Sequence, residues 1–146
     1  MGLKIGSLLG FGLAIFGIFF LLQKGYIISK NPISIVLQVS AVALMVWARL
    51  TFGMRSFHAA ANSTKGPLVT HGPYRWFRHP IYAAVIYFFI ASLIAYPFRD
   101  TVIGFGCIFF GLLARMFFEE RFLVEAYGEE YEAYMNRTKR IIPFIF

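Results

Sequence analysis

The sequence predicts an all-α integral membrane protein of about four transmembrane helices followed by a cytoplasmic, amphipathic helical tail. Three observations lead there. Hydrophobic residues make up 59% of the 146-residue chain and charged residues only 14%, too little polarity for an ordinary soluble surface. Charge-free runs cover residues 5–22, 31–48 and 80–98, and a shorter one begins at 101 and continues through Arg115 to 118. At 1.5 Å per residue, roughly 20 residues cross a hydrocarbon core. The remaining polar residues gather into two clusters, 68–82 and 115–120, beside these runs. The length fits a single domain, residues 1–146.

The first run follows Lys4, as a secretory signal would, but it is long for a signal core and three more runs come after it. It is read as a retained helix whose small stripe, Gly6, Gly10, Ala14 and Gly17, serves packing alone. The second run is a plain membrane helix. Pro80 suits the first turn of the third. In the fourth, Gly104, Cys107, Gly111 and Ala114 form a small stripe that leads to Arg115. Ala84, Ala91 and Ala95 of the third run are expected to face that stripe, because only residues 97–100 separate the two in an antiparallel hairpin. Beyond Glu120, Leu123, Tyr127, Tyr131 and Tyr134 share one helical face and Glu125, Glu129 and Glu132 another. Gly128 marks a break, and the apolar end from Ile141 is expected to fold back on the domain.

Four spans put both termini and the middle loop on one side. That side carries Lys4, Arg49, Arg55, Lys65, Arg75, Arg78, Arg115, Arg121, Arg137, Lys139 and Arg140; the other carries Lys24, Lys30 and Arg99. Eleven cations against three place the first side in the cytoplasm. The net charge of +7 then reflects topology and attraction to anionic membrane lipids, and spreads along a membrane face rather than forming a nucleic-acid patch. A single cysteine, Cys107, provides neither a disulfide framework nor a thiolate cage, and His58, His71 and His79 lack a metal-binding spacing. No metal is expected.

Chemistry is expected in the two polar clusters. Arg115 and Glu119 lie four residues apart and can pair on one helix face. An ionisable group near membrane depth usually faces a cavity or a partner, so Arg115, Glu119 and Glu120 form a site at the water boundary. In the first cluster, Pro73 and Pro80 interrupt the backbone and prevent one continuous helix. Trp76 is read as an interfacial-belt residue and Arg75 as a lipid-phosphate contact, a role equally open to Arg78. His79 and Tyr82 are read as ligand contacts. Glu125, Glu129 and Glu132 are read as solvated.

The pattern Leu68-Val69-Thr70-x-Gly72-Pro73-Tyr74-x-x-x-Arg78-His79-Pro80-x-Tyr82, followed by Glu119-Glu120-x-x-Leu123 and Tyr127-Gly128-x-x-Tyr131-x-x-Tyr134, closely resembles the isoprenylcysteine carboxyl methyltransferase family. Phospholipid N-methyltransferases are related to that family. The resemblance covers residues 66–146, and the first two runs match only as generic membrane helices. It implies S-adenosylmethionine bound at the cytoplasmic mouth by residues 66–82 and 115–146. By analogy, Gly66, Pro67, Leu68, Val69 and Tyr74 line the cofactor, His79, Pro80, Ile81 and Tyr82 form its contact loop, and Glu119 meets its polar end. Arg115 and Glu120 are the expected catalytic residues, Arg115 as the clamp on a lipophilic or prenylated acceptor. Ala84 stands where the family often has glycine, which leaves the acceptor pocket open.

Methyl transfer from a sulfonium is an in-line displacement governed by positioning and desolvation. A carboxylate acceptor is ionised at neutral pH and needs only orientation, whereas an amine or thiol needs a base, for which Glu119, Glu120 or His79 qualify. Carboxyl O-methylation is therefore the leading expectation. The alternatives are phosphatidylethanolamine N-methylation, an NADPH-dependent membrane reductase, and a non-catalytic lipid-binding protein.

Overall fold

The computed structural model describes residues 2–53, 67–143 and 145, with side chains from residue 5 onward. Gly66, expected at the cofactor, lies outside the described residues, as do Arg55, His58 and Lys65. Among the described residues the chain is helical, with one isolated parallel bridge between Phe77 and Lys139. The helices are α1 (Gly2–Lys24), α2 (Pro32–Phe52), α3 (Pro80–Ala95), α4 (Arg99–Tyr127) and α5 (Glu129–Arg137), with a 3-10 turn at Gly72–Arg75.

Glycines at 2, 6, 10, 12 and 17 weaken α1 as a helix in water, by about 1 kcal/mol each relative to alanine. In hydrocarbon every unpaired peptide group costs several kcal/mol, so the helix persists. Asn31 starts α2: its Oδ1 accepts from the amides of Ile33 at 2.9 Å and Ser34 at 3.4 Å, and Pro32 occupies the first turn. Pro80 opens α3 in the same way. That helix stops at Ala95, short of the expected 98, because Pro97 disfavours helical backbone at Tyr96. The next helix begins at Arg99, two residues earlier than expected, and runs unbroken to Tyr127. Gly128, at φ 54°, breaks the chain into α5.

Helices Ile5–Lys24, Pro32–Phe52 and Arg99–Tyr127 are long and apolar enough to cross a membrane, while α3 is a shorter apolar helix of 16 residues. At 29 residues, about 43 Å, α4 exceeds a hydrocarbon core, and its polar end from Glu119 lies beyond its apolar run.

The helices pack α1 on α4 and α2 on α3, with a sparser α3–α4 contact. This revises the expected partner of the small stripe on α4. A Cβ on Gly111 would stand 2.5 Å from the carbonyl oxygen of Gly10 and 2.7 Å from the nitrogen of Ala14, and one on Gly17 would stand 2.6 Å from the oxygen of Gly104. Backbones meet directly, which only paired small stripes permit. The stripe on α1 therefore fills the place assigned to α3. The third helix reaches the shared core through Ala83, Ile86 and Phe89, beside Ile108, Leu112 and Met116.

At the end of the bundle that holds the α1–α2 loop, Gln38 ties α2 to that loop and to α3. Its amide nitrogen donates to the Ile27 carbonyl at 2.6 Å and to Ser92 Oγ at 3.0 Å, while its oxygen accepts from the Ser29 amide at 3.1 Å. Lys24 and Asp100 pair at 2.8 Å on the same end.

Candidate functional site

The opposite end holds the polar clusters. Its floor is the segment that enters α3. Gly72 turns the chain at φ 59°, where a Cβ would also stand 2.7 Å from Thr51 Oγ1. The 3-10 turn then buries Pro73 and Tyr74, and Tyr74 packs with Val69, Ala48, Phe52 and Ile81. Leu68 is half-buried and Pro67 exposed at the rim.

The chain's end straps this segment down. Amides of Arg78 and His79 donate to the carbonyls of Lys139 at 2.7 Å and Arg140 at 3.0 Å. Arg78 Nη1 donates to the carbonyls of Met135 and Thr138, Tyr134 donates to the Tyr74 carbonyl at 2.7 Å, and Tyr87 donates to the Ile141 carbonyl. Burial pushes the phenols of Tyr74, Tyr131 and Tyr134 up, so they stay protonated.

Glu120 is the hub. Its Oε1 accepts from Arg78 Nε at 2.9 Å and lies 3.2 Å from His79 Nε2; its Oε2 accepts from Arg140 Nε at 3.1 Å and Nη2 at 2.9 Å. Burial works against this carboxylate's charge, but His79, Arg140 and Arg78 outweigh it and hold the carboxyl down at about 2. The four contacts occupy all of its acceptor positions. A carboxylate saturated in this way is a poor proton acceptor, which argues against the catalytic use expected of it.

One helical turn away, Arg115 and Glu119 do not pair directly as the spacing suggests. Tyr82 stands between them: Arg115 Nε donates to its hydroxyl at 2.6 Å, and the hydroxyl donates to Glu119 Oε2 at 2.6 Å. His79 stacks on Tyr82 with ring centres 5.5 Å apart. Arg115 is only 5% exposed, its guanidinium lies 4.6 Å over the ring of Phe11, and its Nη1 is buried without a hydrogen-bond partner among the described residues. On the outer side of Glu120 a groove of about 560 Å³ opens between Phe117, Arg121 and Val124 of α4 and Met135 and Arg140 of the strap.

The structure thus brings His79, Tyr82, Arg115, Glu119 and Glu120 into one polar core, sets Val69, Tyr74, Pro80 and Ile81 beside it, and leaves Pro67 and Leu68 at the edge. Three participants escape the sequence reading. Arg78 looks like a phosphate contact, yet it is buried and pins the strap; its place beside His79 was the available signal. Arg140 looks like ordinary tail charge. Phe11, in an apolar helix with no motif, gives no signal at all.

Fold and site together define a class: a helical membrane protein that gathers a buried arginine, a tyrosine and two carboxylates at one end of its helices. Residues 31–130 match the family model described as phospholipid methyltransferase, and the chain belongs to that family. It is similar to proteins named protein-S-isoprenylcysteine O-methyltransferase from Tribolium castaneum (36% identical over 107 residues, 67% of this chain), Homo sapiens (32% over 106 residues, 67%) and Xenopus laevis (29% over 118 residues, 79%). The matches cover 36%, 36% and 41% of those relatives, so the chain spans well under half of their length. No solved structure matches the chain.

Proposed function

We propose that the protein is an integral membrane methyltransferase that uses S-adenosylmethionine to esterify the carboxylate of a lipophilic or prenylated acceptor at the cytoplasmic face. The observation that carries this is the unpartnered Nη1 of Arg115. A buried guanidinium nitrogen with no partner costs several times what an exposed one does, unless a ligand completes it. A carboxylate is the natural complement, through a charge-assisted hydrogen bond.

The residues beside Arg115 fit the cofactor. Tyr82 engages one oxygen of Glu119, leaving the other for a cationic amine, and Val69, Tyr74 and Ile81 offer an apolar wall. Pro67, Leu68, His79 and Pro80 complete the segment that would hold it. When bound, S-adenosylmethionine supplies a methyl group on a sulfonium. Arg115 orients the acceptor's carboxylate, which is ionised at neutral pH and requires no base. Its burial excludes water from the attacking oxygen. Glu120 acts as a positioning residue that fixes His79, and with it the first turn of α3 that bears Tyr82, to the strap. In this reading α3, extended by the apolar residues that follow it, is a fourth span, and the cation asymmetry sets both termini in the cytoplasm.

A second reading is favoured by the description of the matched family: N-methylation of a phospholipid amine. Arg115 would then hold the phosphate, and Glu119 would take the ammonium proton, since Glu120 is saturated.

The test is calorimetric titration of S-adenosylmethionine, with NADPH as comparison, into protein in nanodiscs. Labelled-methyl transfer to farnesoic acid and to phosphatidylethanolamine follows. Base-labile label on the acid supports the proposal, and stable label on the lipid amine moves the assignment to the second reading. Failure to bind S-adenosylmethionine refutes both.

A further inference from the structure

Arg115 has a second neighbour from an unexpected direction. Phe11 belongs to α1, which lies outside residues 31–130 matched by the family model, yet its ring covers one face of the guanidinium at 4.6 Å while the Tyr82 ring lies 5.9 Å from the same carbon. The approach is built into the helix seam. At Gly10 a Cβ would stand 2.7 Å from the Gly111 carbonyl and 3.3 Å from the Arg115 nitrogen, so the backbones must be this close for the next residue, Phe11, to reach the guanidinium. Phe11 is half-buried on the flank of the seam, and Leu8 and Ile15, one turn to either side of it, are each 49% exposed on the bundle's outer surface. Arg115 thus has aromatic rings against its guanidinium and Nη1 without a partner, while the outer edge of Phe11 continues into the apolar surface that lipid would cover.

We infer that Phe11 is a positioning and specificity residue of the acceptor site: it holds the Arg115 guanidinium and supplies the wall along which the apolar chain of an anionic amphiphile passes into lipid. The inference rests on the acceptor reading of Arg115. It narrows the substrate class to molecules with an acidic head and an apolar chain that lies on the α1 side of Arg115. A ring over a desolvated cation contributes enough for roughly a tenfold effect on affinity.

The test uses full-length protein in nanodiscs with Phe11→Ala, Phe11→Leu and Phe11→Trp. Binding of farnesoic acid, of butyrate as a short-chain control, and of S-adenosylmethionine is measured separately, alongside KM and kcat for farnesoic acid. Phe11→Ala and Phe11→Leu are expected to weaken farnesoic acid binding roughly tenfold and raise its KM, with kcat and S-adenosylmethionine affinity held. Phe11→Trp restores binding, and butyrate responds less than farnesoic acid. Wild-type farnesoic acid affinity in Phe11→Leu overturns the inference, as does an equal loss of cofactor and acid binding, which marks a merely structural residue. If Phe11→Ala does not fold, Phe11→Leu decides. Phe11-dependent acid binding in a protein that never binds S-adenosylmethionine would uphold this inference while refuting the methyltransferase reading.

Discussion

Arg78 and Glu120 are 42 residues apart in the chain and meet at 2.9 Å, each with a side chain only 8% exposed. The pair joins the entrance of α3 to the polar end of α4. Through Nη1, Arg78 also holds the backbone of the strap, so one side chain fixes three segments.

Removing one charge from that cluster should cost far more than removing a surface pair. Glu120→Gln takes the carboxylate from the buried Arg78 guanidinium, a loss of about 3–5 kcal/mol. Hydrogen exchange is expected to show residues 135–141 exposed to solvent in this variant while α1 stays protected. Unchanged protection of the strap would contradict the hub assignment.

The same cluster predicts an acid response. The folded carboxyl of Glu120 lies at about 2, below its ordinary value of 4.5, so its stabilising contribution is complete above 4.5 and is lost as pH falls from there through about 2. Strap protection should therefore show a decline below 4.5 that is much reduced in Glu120→Gln. Limited proteolysis across that range measures it.

Arg115 and the Tyr82–Glu119 pair should separate kinetically. Arg115→Ala is expected to lower kcat/KM by roughly a hundredfold, as loss of a buried charge-assisted contact implies, with S-adenosylmethionine affinity unchanged. Glu119→Ala and Tyr82→Ala are expected to weaken cofactor binding instead. Equal cofactor affinity in all three variants would remove the proposed division of labour.

The seam between α1 and α4 should not tolerate added volume. Gly111→Leu must displace the Gly10 carbonyl, 2.5 Å from the position of a Cβ, and should destabilise by at least about 1–3 kcal/mol. The thermal midpoint in detergent is expected to fall. Gly12→Leu, where a Cβ meets nothing within 4 Å, should leave it unchanged and serves as the control.

Much of this architecture is legible in the chain because lipid leaves few options. Runs of apolar residues must be helical, and Pro80, Gly128 and Asn31 start or break helices by local rules. Helix partners are less legible: Gly10 and Ala84 are both small, and only three-dimensional packing decides that the first meets Gly111. The site divides in the same way. His79, Tyr82, Arg115 and Glu119 stand out as polar residues beside apolar runs. The roles of Arg78 and Arg140 do not, because their worth comes from Glu120, which is far away in sequence. Phe11 is invisible for a different reason, since one phenylalanine among 18 carries no mark until a cation is found beneath it.

No break separates Gly104 from Glu119 in α4, so the membrane seam and the polar end belong to one rigid rod. A change of tilt imposed on that rod by a thinner or thicker bilayer reaches Arg115 and Glu119 undiminished. The strap and the entrance of α3 are both tied to the same rod through Glu120, and Tyr82 is the third residue of α3. A bilayer of different thickness would thus carry the polar end along with the seam, the Tyr82 hydroxyl included.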